Sequence, residues 1–154
     1  MNIKGGVRNN SPLFSQGVNM KVVIAGSREI TNYELVRKKI NEAIQEALLN
    51  VTMIISGGAL GVDRLGEKWA NENGIPIDLN IPDWENINVP GAVVKINKWG
   101  KPYNARAGHM RNAIMADKAD YLIAIWDGKS SGTNNMIKEM EKRNKPYIVK
   151  KIRL

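Results

Sequence analysis

Ser56-Gly57-Gly58-Ala59-Leu60-Gly61-Val62-Asp63 follows an apolar, β-branched run at 51–55 and opens a helical pattern. Trp126-Asp127-Gly128-Lys129-Ser130-Ser131-Gly132-Thr133 repeats that arrangement after the run at 121–126. Both are glycine-rich strand-to-helix turns. Glycine lets a backbone approach a ligand without a Cβ, and the first N–H groups of the following helix lack intrahelical partners and point at an anion. A third junction, Gly26-Ser27-Arg28, follows the first strand. The two glycine-rich turns in one small domain suggest a diphosphate-sized or nucleotide-sized ligand, and with the third junction they make nucleotide binding the leading reading.

Outward from these turns the pattern alternates. Strands are expected at 21–25, 51–55, near 75–79, 121–126 and 146–151, and helices at 31–49, 62–73, 104–117 and 132–144. This order predicts an α/β fold with a mostly parallel sheet flanked by helices on both faces. The stripe Val36, Ile40, Ala43, Ile44, Ala47 and Leu48 reads as packing on the sheet, as do Leu65, Trp69, Met136, Ile137 and Met140. Residues 80–103 show little periodicity and are expected as a long loop, with Trp84, Trp99 and Tyr103 either stacking on a base or anchoring the loop. Residues 1–19, rich in Asn, Gly and Ser, are expected as an N-terminal arm, with one domain over 20–154.

The 154 residues hold no cysteine and one histidine, His109, which excludes disulfides and argues against a zinc or haem site. No apolar run approaches the ~20 residues of a membrane span, and no signal-peptide stretch opens the chain, so a cytoplasmic protein is expected. The formal charge of +8 is unevenly spread: residues 1–20 carry +2, 21–137 only +1, and 138–154 carry +5. A basic patch would therefore belong to the C-terminal helix and last strand, while a uniformly basic groove is not indicated.

Ser56 to Gly61 has the spacing of a dinucleotide-binding GxGxxG with serine first, but it follows the second strand, which disfavours a nicotinamide dehydrogenase. Gly128-Lys129-Ser130 looks like the end of a Walker A loop, yet the position that requires glycine is Ile123, inside a strand. In Ala107-Gly108-His109-Met110-Arg111-Asn112, Arg111 offers a guanidinium fork suited to phosphate, Arg106 lies a turn earlier, and Asn112 adds an amide for a base or ribose. The candidate ligand contacts are thus Gly26, Ser27, Arg28, Ser56, Gly57, Gly58, Ala59, Asp63, Arg106, Arg111, Asn112, Asp127, Gly128, Ser130, Ser131, Gly132 and Thr133. No residue cluster requires a metal, although Asp63, Asp83 or Asp127 would suit a magnesium ion arriving with phosphates.

In chain order, GSR, SGGALGVD, PDW, AGHMRNAIM and DGKSSGT resemble the SLOG superfamily, which includes the Lonely Guy phosphoribohydrolases and the Smf/DprA proteins. The likeness is strongest to its YspA-like branch of phages and bacteria, and it spans about Lys21 to Val149. The resemblance implies a Rossmann-like three-layer fold, nucleotide-derived ligands at the strand C-terminal ends, and a homodimer or higher homo-oligomer. It places Arg111, Gly132 and Thr133 on phosphate. The Lonely Guy loop, PGGxGTxxE, ends in a catalytic glutamate where this chain has Met136; Glu139 is the first acidic residue of that helix. Asp63 and Asp127 are the carboxylates left to act with Arg111 in catalysis.

Three functions compete. The first is a sensor or sequestering protein for a phosphorylated nucleotide or an ADP-ribose- or NAD-like molecule. The second is a nucleotide N-glycosidase. The third is a single-stranded nucleic-acid binder that uses the basic C-terminal region and the arm.

Overall fold

The computed structural model describes residues 19–153. The expected arm therefore lies almost wholly outside the described residues. β1 (Met20–Gly26), β2 (Val51–Ser56), β3 (Ile77–Leu79), β6 (Tyr121–Trp126) and β7 (Tyr147–Lys151) form one parallel sheet in the order β3-β2-β1-β6-β7. The helices are α1 (Tyr33–Ala47), α2 (Val62–Glu72), α3 (Ala107–Lys118) and α4 (Ser131–Lys142). The fold is α/β and Rossmann-like, as expected.

Strand periodicity explains the layers. Val22 and Ile24 of β1 point to one face, where Val36, Ile40 and Ala43 of α1 and Val62, Trp69 and Ala70 of α2 cover them. Val23 and Ala25 point to the other, against Met115 and Ala116 of α3 and Met136, Ile137 and Met140 of α4. A strand buried on both faces has no polar side to alternate, hence the unbroken runs VVIA, MII and LIAI. The packing roles read for Trp69, Met136, Ile137 and Met140 hold.

Three boundaries differ from expectation. Asn32 caps α1 by accepting the Leu35 N–H at 3.2 Å, and the helix stops at Ala47 because Leu48 adopts a left-handed conformation with φ 54°. Leu48, expected in the packed stripe, is consequently exposed. α3 starts at Ala107 rather than 104, because Pro102–Asn104 is a strand, β5. β5 pairs antiparallel with β4 (Val94–Ile96), so the expected loop at 80–103 contains a hairpin. Among the described residues no helix is long and apolar enough to cross a membrane.

The chain runs outward from β1 through β2 to β3, then returns across the sheet to β6 on the other side of β1. That reversal opens a crevice at the carboxyl ends of β1 and β6, where open α/β sheets bind ligands.

Candidate functional site

The crevice is real: a cavity of about 390 Å³ lies there, within the range of small-molecule sites. Its floor is Ala25 and Gly26 at the end of β1; Arg28, Ala59 and Asp63 form one wall. Ala105, Gly108, His109, Arg111 and Asn112 form a second, Ser130 to Thr133 at the start of α4 a third, and Trp84 closes the rim. First turns of α2, α3 and α4 therefore converge on one space.

Gly26 permits that convergence. A Cβ there would lie 2.0 Å from the Ile125 carbonyl oxygen and 2.8 Å from a Val62 methyl, so β1, β6 and α2 close up only over glycine. Gly61, at φ 76°, is similarly forced: its Cβ would fall 2.4 Å from the Ser27 and Arg28 carbonyl oxygens. The Val62 N–H then donates to the Ser27 carbonyl at 3.3 Å, which seats α2 on the Gly26-Ser27-Arg28 turn.

Arg111 reaches back from α3. Its Nη1 donates to the carbonyls of Gly57 at 2.5 Å and Asn80 at 3.2 Å, and its Nε donates to Asn112 Oδ1 at 3.0 Å. The guanidinium is thereby fixed in place beside the Ser56–Asp63 loop. Burial lowers its pKa; the Asp63 charge opposes that shift and the Arg28 charge adds to it. Asn112 is buried and saturated, its amide donating to Asn135 Oδ1 at 2.9 Å and to the Gly132 carbonyl at 3.3 Å. It ties α3 to the first turn of α4.

Asp63 is 7 % exposed, and its Oδ2 accepts the Ala59 N–H at 3.2 Å. Burial pushes its pKa up to about 6, with the Ala59 hydrogen bond and the Arg111 charge holding it down and Glu67 raising it. Gly57 lies between the two charged groups, since a Cβ on it would sit 2.7 Å from Arg111 Nη1 and 2.9 Å from Asp63 Oδ2. Among the described residues Asp63 is the one carboxylate lining this cavity. Glu139 is turned away into ion pairs with Arg143 and Lys142, so it does not take the place of the missing glutamate.

Several residues read as ligand contacts hold the loops in shape. Ser56 is fully buried, donates to Glu67 Oε2 at 2.6 Å and accepts the Gly58 N–H at 3.2 Å. Buried Ser27 accepts the Asp127 N–H at 3.0 Å. Asp127 Oδ1 accepts the N–H groups of Lys129 at 2.8 Å and Ser130 at 2.9 Å, bonds that hold its carboxyl below the usual range. Asp127 lines a separate recess with Lys151, Ile152 and Arg153, and Lys151 covers Gly128. Arg106 donates to the Gly91 carbonyl at 2.9 Å and secures the long loop rather than lining the cavity. Gly57 and Gly58 shape the turn from behind.

Asp83, proposed with Asp63 and Asp127 for magnesium, faces a third space, and no group of three His, Cys, Asp or Glu side chains gathers among the described residues. His109 and Gly108, left out of the expected contacts, line the cavity. The motif Ala107–Asn112 held the signal for Gly108, which lies three residues before Arg111 and shares its helix face, while His109, two residues before it, is offset from that face.

The C-terminal cations are largely engaged within the fold. Arg143 pairs with Asp117 and Glu139, Lys150 with Glu46, and Lys145 donates to the Ala116 and Asp117 carbonyls at the end of α3.

The resemblance to the SLOG superfamily is borne out. A model of the YAcAr family, described as the YspA, cpYpsA-related SLOG family, matches residues 20–86, from β1 to the loop after β3. No curated protein matches. Among solved structures, DNA processing protein A (DprA) from Streptococcus pneumoniae is similar over 84 % of this chain and 50 % of its own, with 21 % identity and a TM-score of 0.58. DNA processing protein A from Helicobacter pylori, whose structure is described as showing a single-stranded DNA binding mode, is similar over 84 % of this chain and 64 % of its own, with 24 % identity and a TM-score of 0.55. TM1055 is similar over 83 % of this chain and 72 % of its own, with 22 % identity and a TM-score of 0.54. The chain thus spans half to two thirds of the length of the DprA proteins it matches, and these likenesses show the fold.

Proposed function

We propose that this chain binds a phosphorylated nucleotide or a nucleotide-derived molecule of the ADP-ribose or NAD kind in the cavity between β1 and β6, as a sensor or sequestering protein. The observation that carries this reading is the convergence of Arg28, Arg111 and the glycine-containing first turn of α4 on one cavity at the topological switch point. Two cationic forks and unpartnered helical N–H groups suit a phosphate, and Trp84 on the rim suits a base. A magnesium ion would enter with the ligand's phosphates rather than from a preformed acidic cluster.

A second reading, hydrolysis of a nucleotide N-glycosidic bond, is favoured by Asp63, a buried carboxylate in the cavity with its pKa raised to about 6. A carboxylate so placed would stabilise positive charge developing on the ribose ring, while Arg28 and Arg111 hold the phosphate. The partner in both readings is a small molecule, and a homodimer in the cytoplasm is the setting in which we place it.

Thermal-shift and mass-spectrometric screening against nucleoside monophosphates, NAD, ADP-ribose and cyclic dinucleotides tests both readings. A ligand that raises the melting temperature and is recovered intact supports binding without turnover. Free base or ribose phosphate in the mixture supports the hydrolase, and no stabilisation by any phosphorylated nucleotide removes both.

A further inference from the structure

The space that Asp83 faces is a second cavity, of about 280 Å³, and of its lining residues only Arg111 also lines the first. Helical spacing builds one wall: Ala107, Met110, Arg111 and Ile114 stand at i, i+3, i+4 and i+7 on α3. The long loop adds Ile81 and Val89. Ile81 and Ile114 are 62 % and 52 % exposed, an apolar surface that nothing in the described fold covers.

An under-satisfied amide lies in this apolar setting. Asn104 is 1 % exposed, and its Oδ1 accepts the N–H groups of Val93 at 3.2 Å and Arg106 at 3.0 Å. Those two donors fix which end of the amide is oxygen. Nδ2 therefore carries two N–H groups, and its one acceptor among the described residues is the Met110 thioether sulfur at 3.4 Å, a weak one. A buried amide donor without a full partner marks a place where an acceptor belongs. Asn104 and Met110 both line the cavity, so that place is the cavity itself. Asp83 brings a carboxylate to the same space, while Asn80 is spent, its Nδ2 donating to the Asp78 carbonyl and its Oδ1 accepting from Lys118.

We propose that this second cavity takes a guanine base. Its apolar walls suit a flat ring, the Asn104 amide donates to the ring carbonyl, and the Asp83 carboxylate accepts from the ring N–H and the exocyclic amino group beside it. Adenine fits this pair poorly, because its ring nitrogen would turn a lone pair toward the carboxylate. The volume lies at the lower edge of small-molecule sites, which begin at about 300 Å³, and so suits a base or nucleoside rather than a dinucleotide. The site is independent of the phosphate reading of the first cavity, since neither Asp83 nor Asn104 lines that cavity.

The test is calorimetric titration of guanosine, inosine, adenosine and xanthosine into the full chain; none of them carries a phosphate. Guanosine is expected to bind, with inosine, which lacks the exocyclic amino group, and adenosine each weaker by about tenfold or more. Asp83→Asn should reverse the preference toward xanthosine, whose 2-oxo group accepts from the new amide, and Ile114→Trp should fill the cavity and abolish nucleoside binding. Both positions are exposed, so both variants should melt with the wild type. A gain of xanthosine binding in Asp83→Asn also cannot come from misfolding. No guanosine binding, equal affinity for guanosine and adenosine, or guanosine binding that survives Ile114→Trp but is lost in Gly132→Asp, a change in the first cavity, overturns the proposal. Guanosine 5′-monophosphate separates the two sources of the base: loss of its affinity in both Ile114→Trp and Gly132→Asp assigns the base to one nucleotide spanning the two cavities, whereas loss in Gly132→Asp alone, with guanosine still sensitive to Ile114→Trp, assigns it to a separate molecule. Either result supports the base site.

Discussion

The Arg111 guanidinium donates to the Gly57 carbonyl at 2.5 Å, joining the N-terminal half of α3 to the glycine loop after β2. The bond thus ties two walls of the cavity to each other. With the Asn80 and Asn112 bonds, three acceptors depend on one planar fork.

Arg111→Lys should therefore fail at both levels. A lysine has no fork and leaves carbonyls without donors in a half-buried place. We expect a stability loss of about 1–3 kcal/mol in denaturant titration and loss of nucleotide binding. Unchanged stability and affinity would mean that Arg111 is an ornament of the loop.

Gly57→Ala should damage binding more than stability. The new methyl would press on Arg111 Nη1 and Asp63 Oδ2, both ends of side chains, and push them into the cavity. The expected stability cost is about 1–2 kcal/mol, with ligand affinity lost. Equal affinity in calorimetry would show that neither group touches the ligand.

Asp63 sets a pH dependence whose sign follows from its raised pKa of about 6. The folded state binds a proton that the unfolded state, with an ordinary carboxylate, does not hold between about pH 4 and 6. This contribution is favourable below the unfolded value and is lost as pH rises through about 6. Asp63→Asn keeps a carbonyl acceptor for the Ala59 N–H, so it should raise stability above pH 7 by about 1–3 kcal/mol and flatten the profile from pH 4 to 6. If the second reading is right it also abolishes turnover while leaving phosphate binding.

Arg106→Ala should leave nucleotide affinity within error, since Arg106 holds Gly91 rather than lining the cavity. A large loss of affinity in the same calorimetric assay would return Arg106 to the site.

The parallel sheet was legible because β1, β2 and β6 are buried on both faces and read as uninterrupted apolar runs. The hairpin was not: β4 and β5 are three residues each, one begins with proline, and such stretches carry no measurable period. At the site, Arg28, Asp63, Arg111 and the start of α4, singled out from the turns and from the Ala107–Asn112 motif, lie together around one crevice. What sequence left open is the direction of each polar atom. Ser27, Ser56 and Asp127 lie in the right turns but spend their oxygens on backbone N–H groups or on Glu67, an outcome fixed by backbone path rather than residue type.

Gly132 offers the most direct test of phosphate binding. It lines the cavity, and a Cβ built on it meets nothing within 4 Å, so Gly132→Asp places a negative charge in the site without a clash. An acidic residue in a helix's first turn also suits the helix dipole, so folding should be preserved. Calorimetric titration of a nucleoside 5′-monophosphate and its nucleoside into both proteins is the measurement. The account predicts that the wild type prefers the monophosphate by about tenfold or more, from charge-assisted bonds of ~1.5–3 kcal/mol each, and that Gly132→Asp loses that preference at an undiminished melting temperature. Equal affinity for nucleoside and monophosphate, or undisturbed monophosphate binding in Gly132→Asp, would contradict a phosphate site at the start of α4.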